Sequence, residues 1–159
     1  MSQDEQHIKN RIDKISGYSH IPDFFGMVLN LDAASQIILS KAISFGYYTG
    51  DYLSLKELTG VKSVNTIVAK VKDLESKGYI IKKTFFVEGT KMRTILVSCY
   101  DIQWNKRTKE EIISLMTKAI NTIAEYYKCK PIYKKSKKKL REKDISNRKG
   151  MVEIADFDL

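Results

Sequence analysis

The chain has little of what a covalent or metal-held framework needs. Its two cysteines, Cys99 and Cys129, are too few for a disulfide scaffold, and their spacing with the two histidines, His7 and His20, matches no usual zinc pattern. Both thiols are expected to be reduced, and no metal or other cofactor is expected. No stretch approaches the roughly 18 consecutive apolar residues of a membrane span, and the opening MSQDEQHIKN lacks the charged-then-apolar order of a secretory signal. A soluble, cytoplasmic protein with no membrane contact is expected. Also missing are a glycine-rich phosphate loop, a nucleophile elbow and any catalytic setting for the histidines, so binding is expected rather than catalysis.

What is present suits one domain with extensions: 159 residues, 43% of them hydrophobic. The most organised stretch is 52–98. Ser54 and Glu57 form an S-x-x-E capping box, which predicts a helix from Leu55. Gly60 tolerates a left-handed turn, and only Val61, Lys62 and Ser63 separate it from the next periodic run. In that run Val64, Ile67, Val68, Val71 and Leu74 share one side of a helix over 63–77, closed by Gly78. The opposite side carries Ser63, Asn65, Thr66, Ala69, Lys70 and Asp73, which are short or polar. Asn65 is suited to pair with adenine and Lys70 to reach guanine or phosphate, while Thr66 and Ala69 permit close approach to a thymine methyl. A merely solvated helix face has the same composition.

The segments 79–87 and 90–98 are rich in β-branched and aromatic residues, with Glu88-Gly89 as the turn of a hairpin. Lys82, Lys83, Lys91 and Arg93 lie on its arms, positions from which a basic hairpin reaches flanking phosphates or the minor groove. Lys62 precedes the second helix and joins the candidate DNA-binding set. The predicted fold is mainly α with a small β-hairpin (α+β), a winged helix-turn-helix with flanking N- and C-terminal helices.

The residues LKELTGVKSVNTIVAKVKDLESKGYIIKK followed by EGTKMRTILVS resemble the DNA-binding lobe of MarR- and SarA-type bacterial regulators, over about half the chain. In that family an acidic residue commonly precedes the wing arginine by two places; Arg93 fits the arginine, but Lys91 stands in the acidic place. The resemblance implies double-stranded DNA as partner, transcription regulation as role, and a dimer in which the first and last helices pack together.

Before this lobe, Ser2 and Glu5 form another capping box ahead of a narrow stripe of Ile8, Ile12 and Ile15. The stripe suits either a dimer interface, as the resemblance implies, or packing on its own domain. After a link to residue 20, the region 24–29 reads as one or two helical turns. Asp32 caps a helix over 33–45 that buries Ala34, Ile37, Ile38, Ala42 and Phe45. Residues 47–51 read as a loop, with a strand pairing to the wing near Tyr52.

Beyond residue 100, Trp104 reads as a packing anchor in an irregular connection. Thr108 and Glu111 then cap a helix running to about Lys128, whose apolar positions exceed one core stripe. Ile8, Ile12, Ile112, Leu115, Ile120, Ile123 and Tyr127 are therefore expected at a homodimer interface, with a monomer capped by both helices as the alternative. From 128 to 149 there are eleven Lys or Arg against two acids, 11 − 2 = +9, equal to the net charge of the whole chain. Such an arm, with Lys134, Lys135, Lys137, Lys138, Lys139 and Arg141, adds sequence-independent phosphate affinity; about six phosphates would give a log–log salt slope near −5. RNA is a rival partner and anionic lipid a weaker one. The last segment, 151–159, alternates acidic and apolar residues and resembles peptides that hold protein partners, although a frayed tail has the same composition.

The expected organisation is 1–20 helix and link, 21–100 winged helix-turn-helix, 101–128 connection and long helix, 129–149 basic arm, and 150–159 tail. The functional reading is a dimeric transcriptional regulator. The alternatives are a plasmid or phage replication initiator, whose winged domains follow an Ile-Pro opening like Ile21-Pro22, and an adaptor binding polymerase or sliding clamp through its tail.

Overall fold

The structure, a computed structural model, describes residues 2–14, 19–89 and 92–133. Local chemistry explains most element starts. In α1 (Gln3–Lys14) the Ser2 hydroxyl accepts the Glu5 N–H at 3.2 Å, and the Glu5 carboxylate accepts the Ser2 N–H at 3.1 Å. A single turn, α2 (Phe24–Met27), leads to α3 (Ala33–Ser44), where the Asp32 carboxylate accepts the Ser35 N–H at 2.8 Å. Phe45, expected on the buried face of α3, is instead the residue at which the helix ends, and it is 77% exposed. Gly46 turns the chain there with φ 81°.

The expected loop at 47–51 contains β1 (Tyr47–Tyr48), the strand that was anticipated near Tyr52. The helix of the turn motif also begins earlier than Ser54. In α4 (Tyr52–Thr59) the capping residue is Asp51, whose carboxylate accepts both the Ser54 N–H and the Ser54 hydroxyl at 2.8 Å. With its N–H and hydroxyl both given to Asp51, Ser54 lies within the first turn as a donor instead of capping the helix. Gly60 ends α4 in the left-handed region at φ 75° and donates to the Lys56 carbonyl at 3.0 Å. Then come α5 (Val64–Ser76), β2 (Ile80–Val87), β3 (Met92–Ser98), α6 (Lys109–Tyr126) and β4 (Pro131–Tyr133).

The four strands form one antiparallel sheet in the order β1-β3-β2-β4. Alternation along the paired strands assigns their side chains to two faces. One face carries Ile80 and Leu96 into a core with Phe25, Ile38, Leu39, Leu55, Ile67, Val71 and Leu74 from the first helices and the turn motif. The other carries Phe85, Val87, Ile95 and Val97 into a second core with Ile112, Met116, Ala119, Ile120 and Ile123 of α6. The chain is thus mixed helix and antiparallel sheet, an arrangement consistent with a winged helix, with α6 laid across the back of the sheet.

That second layer corrects the expected dimer surface. Ile112, Ile120 and Ile123 are buried at 6%, 1% and 6% exposure against this chain's own sheet and are not available to a second copy. Leu115 and Tyr127 are half-buried on the same core. Ile8 remains 56% exposed on α1, while the Ile12 side chain lies outside what is described. β4 also falls inside the stretch expected to be a basic arm, where it pairs Phe85, Phe86 and Val87 with Tyr133, Ile132 and Pro131. Trp104 stacks on Tyr100 with centroids 4.1 Å apart and meets Phe24, Phe25 and Tyr79 edge-on. These contacts close the first core beneath the 100–107 connection.

Candidate nucleic-acid interface

The buried side of α5 determines what its other side presents. Ile67, Val71 and Leu74 are fully buried, and burying each such side chain stabilises the fold by about 1.5–3 kcal/mol, so the helix cannot roll about its axis. Lys62, Ser63, Asn65, Thr66 and Ala69 consequently stand exposed along the helix start and its outer face. Ser63 has a second duty as helix cap, its hydroxyl accepting the Asn65 N–H at 3.2 Å. Asp73 is paired with Lys77 one turn on, at 2.9 Å.

Lys70 behaves differently from expectation. Its ammonium is held by the Asp32 carboxylate, which ties the middle of α5 to the start of α3 and leaves Lys70 half-buried. Burial pushes the Asp32 carboxyl up, but the Lys70 ammonium and the two Ser35 donors outweigh it and bring the pKa down to about 2. The charge is therefore committed within the protein. Lys72, which the sequence reading passed over, is exposed at i+3 from Ala69 and i+7 from Asn65, on the outer face itself. The same helical period that located Asn65 and Ala69 was the signal that could have found it.

The wing residues divide between the two sides of the sheet. Lys82 shares a face with Thr84, Leu96 and Ile80, toward the turn motif, whereas Lys83 and Arg93 belong to the face that α6 covers. Arg93 lies over the Tyr127 ring, 4.6 Å from its centroid, beside the Asp51 side of α4. The expectation that Lys82, Lys83 and Arg93 act together on the flanks of one site is corrected by this alternation. The outer half of the helix-side face instead presents the cross-strand pair Phe86 and Met92, 40% and 46% exposed. Lys91, Lys134, Lys135, Lys137, Lys138, Lys139 and Arg141 lie outside the described residues, as does the acidic-apolar segment 151–159.

The site, then, is an exposed helix face carrying Lys62, Asn65, Thr66, Ala69 and Lys72, with a hairpin beside it. No protein-family model matches the chain, and no curated protein is similar to it. Among solved structures, a possible transcriptional regulator from Methanosarcina mazei Go1 is similar at 18% identity and a TM-score of 0.38, over 67% of this chain and 81% of that one. Overlap at that level leaves function to the geometry of the chain itself. Among the described residues no helix is long and apolar enough to cross a membrane, and no group of three or more His, Cys, Asp or Glu is arranged to hold a metal ion.

Proposed function

We propose that this protein is a double-stranded DNA-binding regulator of transcription of winged-helix type, a binding protein and not an enzyme. In this reading the N-terminal part of α5 enters the major groove, Asn65 reads a base edge, and Thr66 and Ala69 let the helix approach. Lys62 and Lys72 hold the phosphates on either side. The observation that carries the reading is the outer face of α5: short, polar, basic and uncovered by the rest of the described chain, while its inner face is locked into the core.

The basic segment beyond β4 adds affinity without sequence preference in this scheme. Pairing of two copies, which a two-fold operator would require, would have to use α1 and Ile8, because most of the apolar stripe of α6 is consumed by the sheet. Selection from random duplexes, followed by gel shifts at two salt concentrations, tests the proposal. Wild type should retain a preferred site at the higher salt, and Asn65→Ala should lose preference at one position, worth about 1–3 kcal/mol, with stability unchanged. Binding that is uniform across duplexes and indifferent to Asn65→Ala would refute groove reading.

A further inference from the structure

A second feature lies at the far end of α5, where the function above leaves it unused. Because β4 pairs only with Phe85, Phe86 and Val87, the first half of β2 has no strand on that side among the described residues. A cleft of about 550 Å³ opens there, bounded by the end of α5 (Glu75, Gly78), the start of β2, and the chain from Cys99 to the first turns of α6. Its apolar lining is Ile80, Ile81, Ile112 and Cys99. Among the described residues that line it are five cations, Lys82, Lys83, Lys106, Arg107 and Lys109, and one carboxylate, Glu75.

That carboxylate is already engaged, accepting the Lys82 backbone N–H at 3.0 Å. The Arg107 Nη1 donates to the carbonyls of Gly46 at 3.1 Å and Ser98 at 3.3 Å, and the Asp101 and Glu111 carboxylates attract the guanidinium as well. The acids in the first turn of α6, Glu110 and Glu111, are not part of the cleft wall. Like charges gathered around a low-dielectric wall repel one another and raise the local concentration of anions. An apolar floor beneath a rim of cations is the chemistry that holds a ligand with one flat or apolar part and one phosphate-bearing part.

We infer that this cleft binds a small phosphorylated ligand. The site is separate from the groove-reading face, since the ten residues from Asn65 to Glu75 span about 15 Å of helix. The volume of this open cleft falls in the range of pockets for small ligands, about 300–1,000 Å³. A bound phosphate group would connect the end of α5, the base of the hairpin and the start of α6. A nucleic-acid backbone offers the same phosphate chemistry, so the experiment has to tell the two sources apart.

The test is a titration of the full-length protein with inorganic pyrophosphate, followed by amide chemical shifts, alongside a parallel titration with a 20-base-pair duplex. Saturable pyrophosphate shifts are expected in 80–83 and 106–112. Lys106→Gln with Lys109→Gln, both exposed side chains, should weaken that binding about tenfold. Lys137→Gln with Lys138→Gln, removing the same charge elsewhere, should leave it within about twofold. Shifts confined to 134–149, indifferent to the Lys106/Lys109 pair, would overturn the inference. So would duplex binding that shifts the cleft amides and is lost in that pair, because the cleft would then belong to the DNA backbone. A protein that bound no duplex yet passed the pyrophosphate test would sink the DNA reading and leave the cleft standing.

Discussion

Replacing Asp32 probes a contact on which both the fold and the recognition face depend. One carboxylate oxygen accepts the Ser35 N–H at 2.8 Å, capping α3, and the other holds the Lys70 ammonium of α5. Loss of a helix cap costs about 1 kcal/mol and loss of an exposed ion pair about 0.2–1 kcal/mol, so Asp32→Ala should destabilise the chain by about 1.5 kcal/mol. For a domain of this size that lowers the melting temperature by roughly 3–6 °C. Asp32→Asn keeps a capping oxygen and removes only the charge, so it should cost about 0.5 kcal/mol.

The pH dependence follows from the same contacts. The carboxyl sits at about 2 instead of its usual 3.8, so its contribution is complete above pH of about 4 and disappears as pH falls toward 2. A shift of about two units would correspond to roughly 2.5 kcal/mol for a shielded group. With the side chain 53% exposed, solvent screening reduces this to about 0.5 kcal/mol, the cost expected of Asp32→Asn. Urea unfolding of the three proteins, followed by circular dichroism from pH 7 down to pH 2, checks the reasoning. The gap between wild type and Asp32→Asn should close across the acid range. A gap that stays constant with pH, or an Asp32→Ala protein as stable as wild type at pH 7, would refute it. Releasing Lys70 beside the α5 face should also steepen the salt slope of duplex binding by about 0.9 for one added phosphate contact.

Two further expectations concern the faces of the sheet and of α5. Lys72→Ala should weaken binding to all duplexes alike and flatten the salt slope by about 0.9, whereas Arg93→Ala should leave the slope unchanged and cost about 0.5–1 kcal/mol of stability through its lost contact with Tyr127. The reverse result in salt-dependent gel shifts would overturn the roles given to Lys72 and Arg93. Ile120→Ala should cost about 2–5 kcal/mol in denaturant unfolding at any protein concentration, because Ile120 fills the core beneath α6. A loss of stability that vanished at high concentration would return Ile120 to an interface between copies.

Chemistry confined to a few neighbouring residues was legible without coordinates. The reciprocal bonds of Ser2 with Glu5, the Asp32 and Thr108 caps, the glycine at 60 and the inward row Ile67, Val71, Leu74 each involve partners within one or two helical turns, so spacing alone located them. The Ser54 box misled because Asp51, three residues earlier, accepts the Ser54 N–H and starts the helix sooner. Asn65, Thr66 and Ala69 were placed on the outer face by periodicity, which applied equally to Lys72.

The fate of the charged and apolar residues left over depended on contacts that no local pattern encodes. Lys70 and Asp32 are 38 residues apart, and only the packing of α5 against α3 brings them together. Lys83 and Arg93 turned from the helix side because pairing in the register Phe85↔Arg93 decides which face each residue takes, and a one-residue slip would invert it. The apolar excess of α6 signalled that something must cover it, but a second copy and the chain's own sheet present the same hydrophobic demand. Spacing along a chain specifies which side of an element is apolar; the partner that side meets is selected by the three-dimensional arrangement of the other elements.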